Sequence, residues 1–351
     1  MSDGPEVAPV RDAHRIDERG LAAYLADRLD DVTAPLTVRQ FKGGQSNPTY
    51  LLEAGGRQLV LRKKPPGRLL PSAHAVEREY RVMAALAGSG VPVPAMRLLC
   101  EDESIIGTAF YVMDHVDGRV FRDPALAGMA PAERAAIYDA MNRTLTGLHL
   151  VDWRAVGLAD FGRPQNYAAR QVARWSKQYR ASATAELPAM DRLIDWLPAH
   201  LPAAADAAIA HGDFRLENLI FDRSRPVVRA VLDWELSTLG DPLGDLAYNC
   251  MLYRLPAAGL AFPGLGGLDL AALGLPGEAD YVAAYCRRTG RDGIADWCFY
   301  LAFSLFRMAA ILQGVYARAL QGNAASPTAA AMGEMPGVLA EIGWSLARGV
   351  G

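Results

Sequence analysis

The sequence has little cysteine, little lysine and no large excess of charge of either sign. Its four cysteines, Cys100, Cys250, Cys286 and Cys298, are scattered through 351 residues with no Cys-x-x-Cys spacing. That pattern excludes a disulfide-stapled scaffold and a cysteine zinc site, and it predicts buried thiols in a reducing compartment. Lysine occurs only as Lys42, Lys63, Lys64 and Lys177, and none follows a glycine, so a Walker A phosphate loop is excluded. Lys and Arg number 36 against 39 Asp and Glu, a net charge of −3, which offers no broad attraction to nucleic acid. The opening residues, Met1-Ser2-Asp3-Gly4-Pro5-Glu6, hold no apolar signal core. The most apolar stretch, Trp297 to Phe306, is cut by Arg307 and is too short to span a bilayer. A buried helix is expected there. The expectation is a cytoplasmic protein that binds neither membrane nor nucleic acid.

What is present is an ordered change of texture along the chain. Residues 1–15 read as a disordered tail, and Ile16 to Leu29 carries apolar residues at helical spacing. Three β-prone runs follow, Leu36–Phe41, Thr49–Glu53 and Gln58–Arg62. A glycine-rich loop, Gly43 to Asn47, joins the first pair, and a Gly55-Gly56 turn joins the second. Ser72–Ala87 reads as a helix, and Met96–Cys100 and Ala109–Met113 read as further strands. After Asp117-Gly118 the pattern turns helical, with Pro131–Val151, Tyr167–Tyr179 and Asp296–Leu320 the clearest segments. Strands return briefly at Ile209–Gly212, Leu219–Asp222 and Val227–Leu232, and Leu255–Gly277 reads as a Gly/Pro-rich loop. The expected fold is α+β and bilobal: a β-rich lobe over 16–116 that binds nucleotide, and a helical lobe over 117–351 that carries the catalytic loop and the substrate pocket.

The polar residues of the second lobe carry the chemistry. His211-Gly212-Asp213-Phe214-Arg215-Leu216-Glu217-Asn218 places an Asp and an Asn five positions apart, and Val231-Leu232-Asp233 ends an apolar run in a second Asp. ATP-dependent phosphoryl transfer needs one carboxylate beside the acceptor hydroxyl, and an amide and a second carboxylate to hold Mg2+ on the triphosphate. The spacing equals that of the protein-kinase catalytic loop. Asp213 is thus expected to accept the acceptor hydroxyl's proton or to orient that hydroxyl, and Asn218 and Asp233 are expected to bind the metal. Arg215 stands where it can neutralise charge in the transition state. His211 is expected to anchor the loop by hydrogen bonding and Asp245 to hold its backbone. Asp213, Asn218 and Asp233 are expected to converge on one cleft. Glu235 could add a third acidic group.

The first lobe supplies the nucleotide residues. Gly43, Gly44 and Ser46 fit a loop that covers phosphates. On Leu59-Val60-Leu61-Arg62, alternation puts Val60 and Arg62 on one face, where Val60 could roof the adenine and Arg62 meet the phosphates. Arginine here replaces the lysine of protein kinases but keeps its charge, and Lys64 would share that face. Glu79, on the following helix, is expected to pair with Arg62, and Arg62→Lys to keep much of the activity. Met113 would line the pocket, and backbone groups of Asp114 and Val116 would read the adenine edge.

Taken together, these residues resemble the aminoglycoside phosphotransferase family, in the kinase-like superfamily that includes choline and homoserine kinases of this type. The resemblance runs from about Phe41 to Asn249. Val60-Leu61-Arg62-Lys63-Lys64-Pro65-Pro66-Gly67, His211–Asn218 and Asp233 to Pro242 are similar, more narrowly, to the kinase-like domain fused to acyl-CoA dehydrogenases in some larger proteins. That branch implies an ATP- and Mg2+-dependent kinase whose small-molecule acceptor is a hydroxyl, in particular that of a hydroxyacyl-CoA. The alternatives are an aminoglycoside or amino-alcohol kinase, a nucleotide-binding pseudokinase without turnover, and a binding module unconnected with phosphate.

Overall fold

The structure, a computed structural model, describes residues 6–33, 35–42, 47–65, 74–203, 207–260, 262–321 and 333–349. Two compact units emerge: Met1–Val120 with Glu217–Ser237, and Phe121–Leu216 with Thr238–Gly351.

The first unit is built on a six-stranded antiparallel sheet in the order β1-β2-β3-β4-β6-β5. Its members are β1 (Val7–Ala8), β2 (Thr37–Phe41), β3 (Thr49–Ala54), β4 (Arg57–Lys63), β5 (Met96–Cys100) and β6 (Phe110–Asp114). Two helices accompany it, α1 (Glu18–Ala26) and α2 (Val76–Leu86). Period-2 alternation divides the side chains. Tyr50, Leu52, Leu59, Leu61, Phe110 and Val112 form one core with Leu21 and Leu25 of α1. The residues between them, Val60 and Arg62 on β4 and Tyr111 and Met113 on β6, take the other face. There Val60 lies opposite Met113 and Arg62 opposite Tyr111. Lys63 falls on the core side and is buried, and burial pushes its ammonium below the ordinary lysine value.

Two expectations about this unit need correction. Residues 6–15 do not form a disordered tail. Val7 and Ala8 pair with Phe41 and Gln40 on the open edge of β2, and the Tyr50 hydroxyl donates to the His14 carbonyl at 2.7 Å. A free strand edge and a buried phenol together supply partners that composition does not reveal. Nor does a single boundary near residue 116 divide the chain. The segment 217–237, expected in the helical lobe, belongs to the first unit. Its hairpin of β8 (Leu219–Phe221) and β9 (Val228–Val231) exchanges two backbone hydrogen bonds between Arg119 and Phe221, and Val231 N–H donates to Pro92. Gly118 permits this approach: a Cβ there would lie 2.2 Å from the Phe221 carbonyl oxygen.

The second unit is helical. It contains α3 (Pro131–His149), α4 (Tyr167–Ser182), α5 (Pro188–Ala199), α6 (Pro242–Cys250), α7 (Leu270–Leu273), α8 (Glu278–Thr289), α9 (Trp297–Leu320) and α10 (Met335–Ala347). A short ladder pairs β7 (Ala208–Ala210) with β10 (Thr238–Gly240). The expected core helix is α9. Cys298 in its first turn is exposed, unlike the buried Cys100, Cys250 and Cys286, because the helix end does not turn that side chain to the core. By length and composition α9 could cross a membrane, but 83% of its most apolar window is buried inside the protein. Asp241 starts α6 by accepting from Leu243 N–H, with Pro242 in the first turn. This helix directs three polar side chains toward the loop after β7.

Candidate active site

In the first unit the polar residues gather around Arg62. Its Nε lies 3.1 Å from Glu79 Oε2, and its Nη2 lies 2.8 Å from Asp233 Oδ1 and 3.5 Å from Glu235 Oε2. Arg62 and Glu79 are both buried. Burial opposes the charge of Arg62, but Glu79 and Asp233 outweigh it and hold the guanidinium above its ordinary value. For Glu79, burial wins in the other direction and raises the carboxyl, though Arg62, Tyr111 and Asn47 offset part of that rise. Glu79 accepts from Asn47 Nδ2 at 2.8 Å and from the Tyr111 hydroxyl at 3.1 Å. The expected Arg62–Glu79 pair is therefore present, and Lys63 and Lys64 do not compete for the position: Lys64 bridges Glu77 at 3.0 Å instead.

Asp233 occupies a special backbone position, φ 66° and ψ 60°. A side chain other than glycine in this region costs about 1–3 kcal/mol and persists only where its surroundings enforce it. Trp234 supplies the enforcement: it is fully buried, its Nε1 donates to Val231 O at 2.9 Å, and its carbonyl accepts from Ser237. Asn218 is brought alongside, since its carbonyl accepts from Leu232 N–H at 2.8 Å. Among the described residues no three His, Cys, Asp or Glu side chains form a metal-sized cage. Three carboxylates against one guanidinium still leave negative charge in excess. Such a set suits Mg2+, which takes one or two carboxylates and completes its shell with phosphate and water oxygens.

The other residues expected to meet a nucleotide divide. Val60 and Met113, neighbours across the ladder, make a buried apolar patch on the Arg62 face. Asp114 is more occupied than expected. Its N–H donates to Ala95 O, and its carboxylate holds Arg97 at 2.6 and 3.0 Å. Its backbone N–H is therefore already engaged. Val116 is half-buried. Gly43, Gly44 and Ser46 lie outside the described residues.

In the second unit the loop after β7 is clamped by α6 and α9. Asp245 accepts from the N–H groups of His211 at 2.5 Å and Gly212 at 2.8 Å. Burial alone would raise its carboxyl, but His149, His211 and the Gly212 N–H outweigh burial and hold it below the ordinary value. His211 is fully buried, and its Nδ1 accepts from Asp213 N–H at 3.1 Å. Both residues thus have the supporting contacts expected of them. Asn249 Nδ2 donates to Phe214 O at 3.3 Å, and Arg307 Nη2 donates to Gly212 O at 2.5 Å. Asp213 lies 3.5 Å from Arg215 Nε through Oδ1, and burial first and the Asp213 charge second push the Tyr248 phenol well above its ordinary value.

Comparison with known proteins decides the family. The Phosphotransferase enzyme family matches residues 37–292. The chain belongs to that family. This phosphotransferase is 51% identical over 344 residues to the Mus musculus acyl-CoA dehydrogenase family member 10, covering 98% of the chain and 32% of that protein. The chain thus spans about a third of that curated relative. A solved Ralstonia eutropha protein, named as a candidate aminoglycoside phosphotransferase, is 52% identical with a TM-score of 0.87, covering 95% of this chain and 99% of the other. An aminoglycoside phosphotransferase solved as a ternary complex with ADP and hygromycin B shares the fold at 15% identity, with a TM-score of 0.59 and coverage of 94% and 98%. The fold is kinase-like, as the sequence led us to expect.

Five residues of this phosphotransferase escaped the sequence reading: Asn47, Tyr111, Tyr248, Asn249 and Arg307. Signals for some were there. Tyr248 and Asn249 follow Asp245 by three and four positions, the spacing of one helix face. Tyr111 is two residues before Met113 and shares its face. Arg307 was read as a break in an apolar stretch, but a buried arginine in a core helix must have partners.

Arg62→Ala should leave Glu79 buried without its cation, costing on the order of 3 kcal/mol in a denaturation experiment. The same change should raise the Michaelis constant for ATP. Lysine at this position should keep less of the activity than charge alone led us to expect. Arg62 uses Nε toward Glu79 and Nη2 toward Asp233, and one ammonium cannot occupy both positions. Full activity in Arg62→Lys would show that charge alone matters.

Proposed function

We propose that this phosphotransferase moves the γ-phosphoryl group of ATP to a hydroxyl of a small molecule, and that the acceptor is a hydroxyacyl-CoA. The observation that carries the reading is Arg62, buried and fixed by Glu79 beside Asp233. A phosphate-binding cation needs such a fixed position, because positioning and charge stabilisation supply most of the rate of phosphoryl transfer.

In this reading Val60 and Met113 receive the adenine, and Arg62 turns to the phosphates. Asn218 and Asp233 would hold Mg2+, whose charge would offset the negative charge that develops in transfer. Asp213 orients the acceptor hydroxyl. A bond forms between that oxygen and the γ-phosphorus while the bond to the bridging oxygen of ADP breaks, and the hydroxyl proton passes to Asp213 or to water. Arg215 neutralises charge on the group in transit. The acceptor class is supported by a relative named for acyl-CoA dehydrogenation that matches 98% of the chain at 51% identity, whereas the relative bound to hygromycin B is 15% identical.

The test is a screen with labelled ATP and Mg2+ against hydroxyacyl-CoAs, aminoglycosides, amino alcohols and sugars. Label should enter the hydroxyacyl-CoA pool. Strong labelling of an aminoglycoside with none of any hydroxyacyl-CoA would overturn the acceptor class, and no labelling of any hydroxyl compound would overturn the transfer.

A further inference from the structure

The chain turns back on itself at the end of α8. Gly290, at φ 68°, ends the helix in the left-handed region, and the Arg291 N–H after it returns to the Cys286 carbonyl at 2.9 Å. This turn, the α8 residues Val282, Ala283 and Arg287, and Trp297 at the start of α9 line a cleft of about 690 Å³. That volume is ordinary for a small-molecule site. Three arginines line the cleft, Arg254, Arg287 and Arg291, against the two carboxylates of Glu278 and Asp292, so the lining is positive by one charge. Arg254 is already engaged: its Nε lies 2.7 Å from Glu278 Oε2, and its Nη2 donates to Oε1 at 3.1 Å. Trp297 Nε1 donates to the same Oε1 at 2.8 Å, which fixes the indole. Arg287 is exposed and Arg291 half-buried. Among the described residues, neither side chain meets a hydrogen-bond or ion-pair partner, and the Arg291 Nε is buried without an acceptor. Asp241 feels Arg291 only from beyond ion-pair range, and its own oxygens are held by the Leu243 N–H and the Tyr300 hydroxyl.

We propose that this cleft binds a phosphorylated nucleoside, with the base against Trp297 and the phosphate on Arg287 and Arg291. A guanidinium presents its donors in a fork that matches phosphate oxygens, and arginine is the usual residue for that task. An indole fixed at its N–H offers a flat surface to a heteroaromatic ring, and such stacking tolerates any base. Val282, Ala283 and Ile294 extend the apolar part of the lining. A simple carboxylate would meet the arginines and leave most of the volume unfilled. A hydrocarbon would fill the volume and leave two cations unpaired. A nucleotide answers both the size and the charge. None of the lining residues belongs to the Asp213 loop or to the cluster around Arg62, so this is an additional site. Two sources share the chemistry: the nucleotide end of a coenzyme A thioester, or a free nucleotide. The first rests on the acceptor reading above, whereas the charge and size of the cleft do not.

The test is hydrogen–deuterium exchange on the full chain, titrated with coenzyme A and, separately, with AMP. Amides of 286–297 should gain protection with at least one of them. The double variant Arg287→Gln, Arg291→Gln removes both cations. Neither is paired in the folded chain, so the melting temperature should change little. Ala283→Glu is an independent variant: it sets a negative charge at an exposed position of the same lining. In both variants the affinity read from the protection should fall by roughly tenfold or more. Steady-state kinetics then separate the sources. If the occupant is the nucleotide end of the acceptor, the Michaelis constant for hydroxyacyl-CoA rises in both variants while kcat holds. If it is a free nucleotide, AMP protects the segment and that constant does not move. Either result upholds the cleft. No protection by either probe, or protection that survives in both variants, would overturn it. Protection by coenzyme A in a protein that labels no hydroxyacyl-CoA would sink the acceptor reading and leave the cleft standing.

Discussion

Asp233→Asn should abolish Mg2+-dependent phosphoryl transfer, lowering kcat/KM by on the order of 10³ or more, about 4 kcal/mol of transition-state stabilisation. Asparagine is the informative replacement. It keeps a short polar side chain that tolerates the left-handed backbone at this position and removes the charge. Alanine would add backbone strain to the loss of the ligand. Arg62 retains Glu79 and Glu235 in the variant, so the fold should survive with a small loss in melting temperature. Nucleotide binding with and without Mg2+ separates the two effects: the metal should no longer tighten it. Asn218→Ala, which removes a neutral ligand, should cost less. Small and equal effects of the two changes would mean that the site binds nucleotide without turning it over.

Asp213→Asn should reduce turnover by on the order of 10² or more and leave nucleotide affinity unchanged. The amide keeps the size of the carboxylate, and the loop's backbone contacts with His211, Asp245, Asn249 and Arg307 do not involve the side chain that changes. What is lost is an acceptor for the hydroxyl proton. Steady-state kinetics with ATP and acceptor varied separately make the check. A parallel loss of ATP affinity would place Asp213 in nucleotide binding instead of acceptor orientation.

The local physics of this chain was readable from its sequence to a useful depth. Alternation along β4 put Arg62 on the face opposite Lys63, and leaving Val76, Tyr80 and Met83 at core spacing selected Glu79 on α2. Both choices agree with the ion pair in the structure. What was not readable depends on residues distant in sequence. Nothing local to 217–237 says that Val231 will donate to Pro92, or that Phe221 will exchange hydrogen bonds with Arg119. Nothing in residues 6–15 announces the edge of β2 that receives them. The loop support failed for another reason. Asp245 was found as a carboxylate near a known pattern, but Tyr248 and Asn249 are ordinary helix residues until the helix is seen to lie along the loop.

The excursion of the chain at 217–237 has a consequence for dividing this protein into parts. The backbone leaves the helical unit after Leu216 and returns to it at Thr238. A gene fragment ending near Val120 would therefore carry Arg62 and Glu79 but neither Asn218 nor Asp233. It would encode a cation with one of its carboxylates and none of the proposed metal ligands. The complementary fragment would keep Asp213, Asp245 and Tyr248, along with a hairpin whose partners at Pro92 and Arg119 had been cut away. No single cut in the coding sequence yields either unit whole.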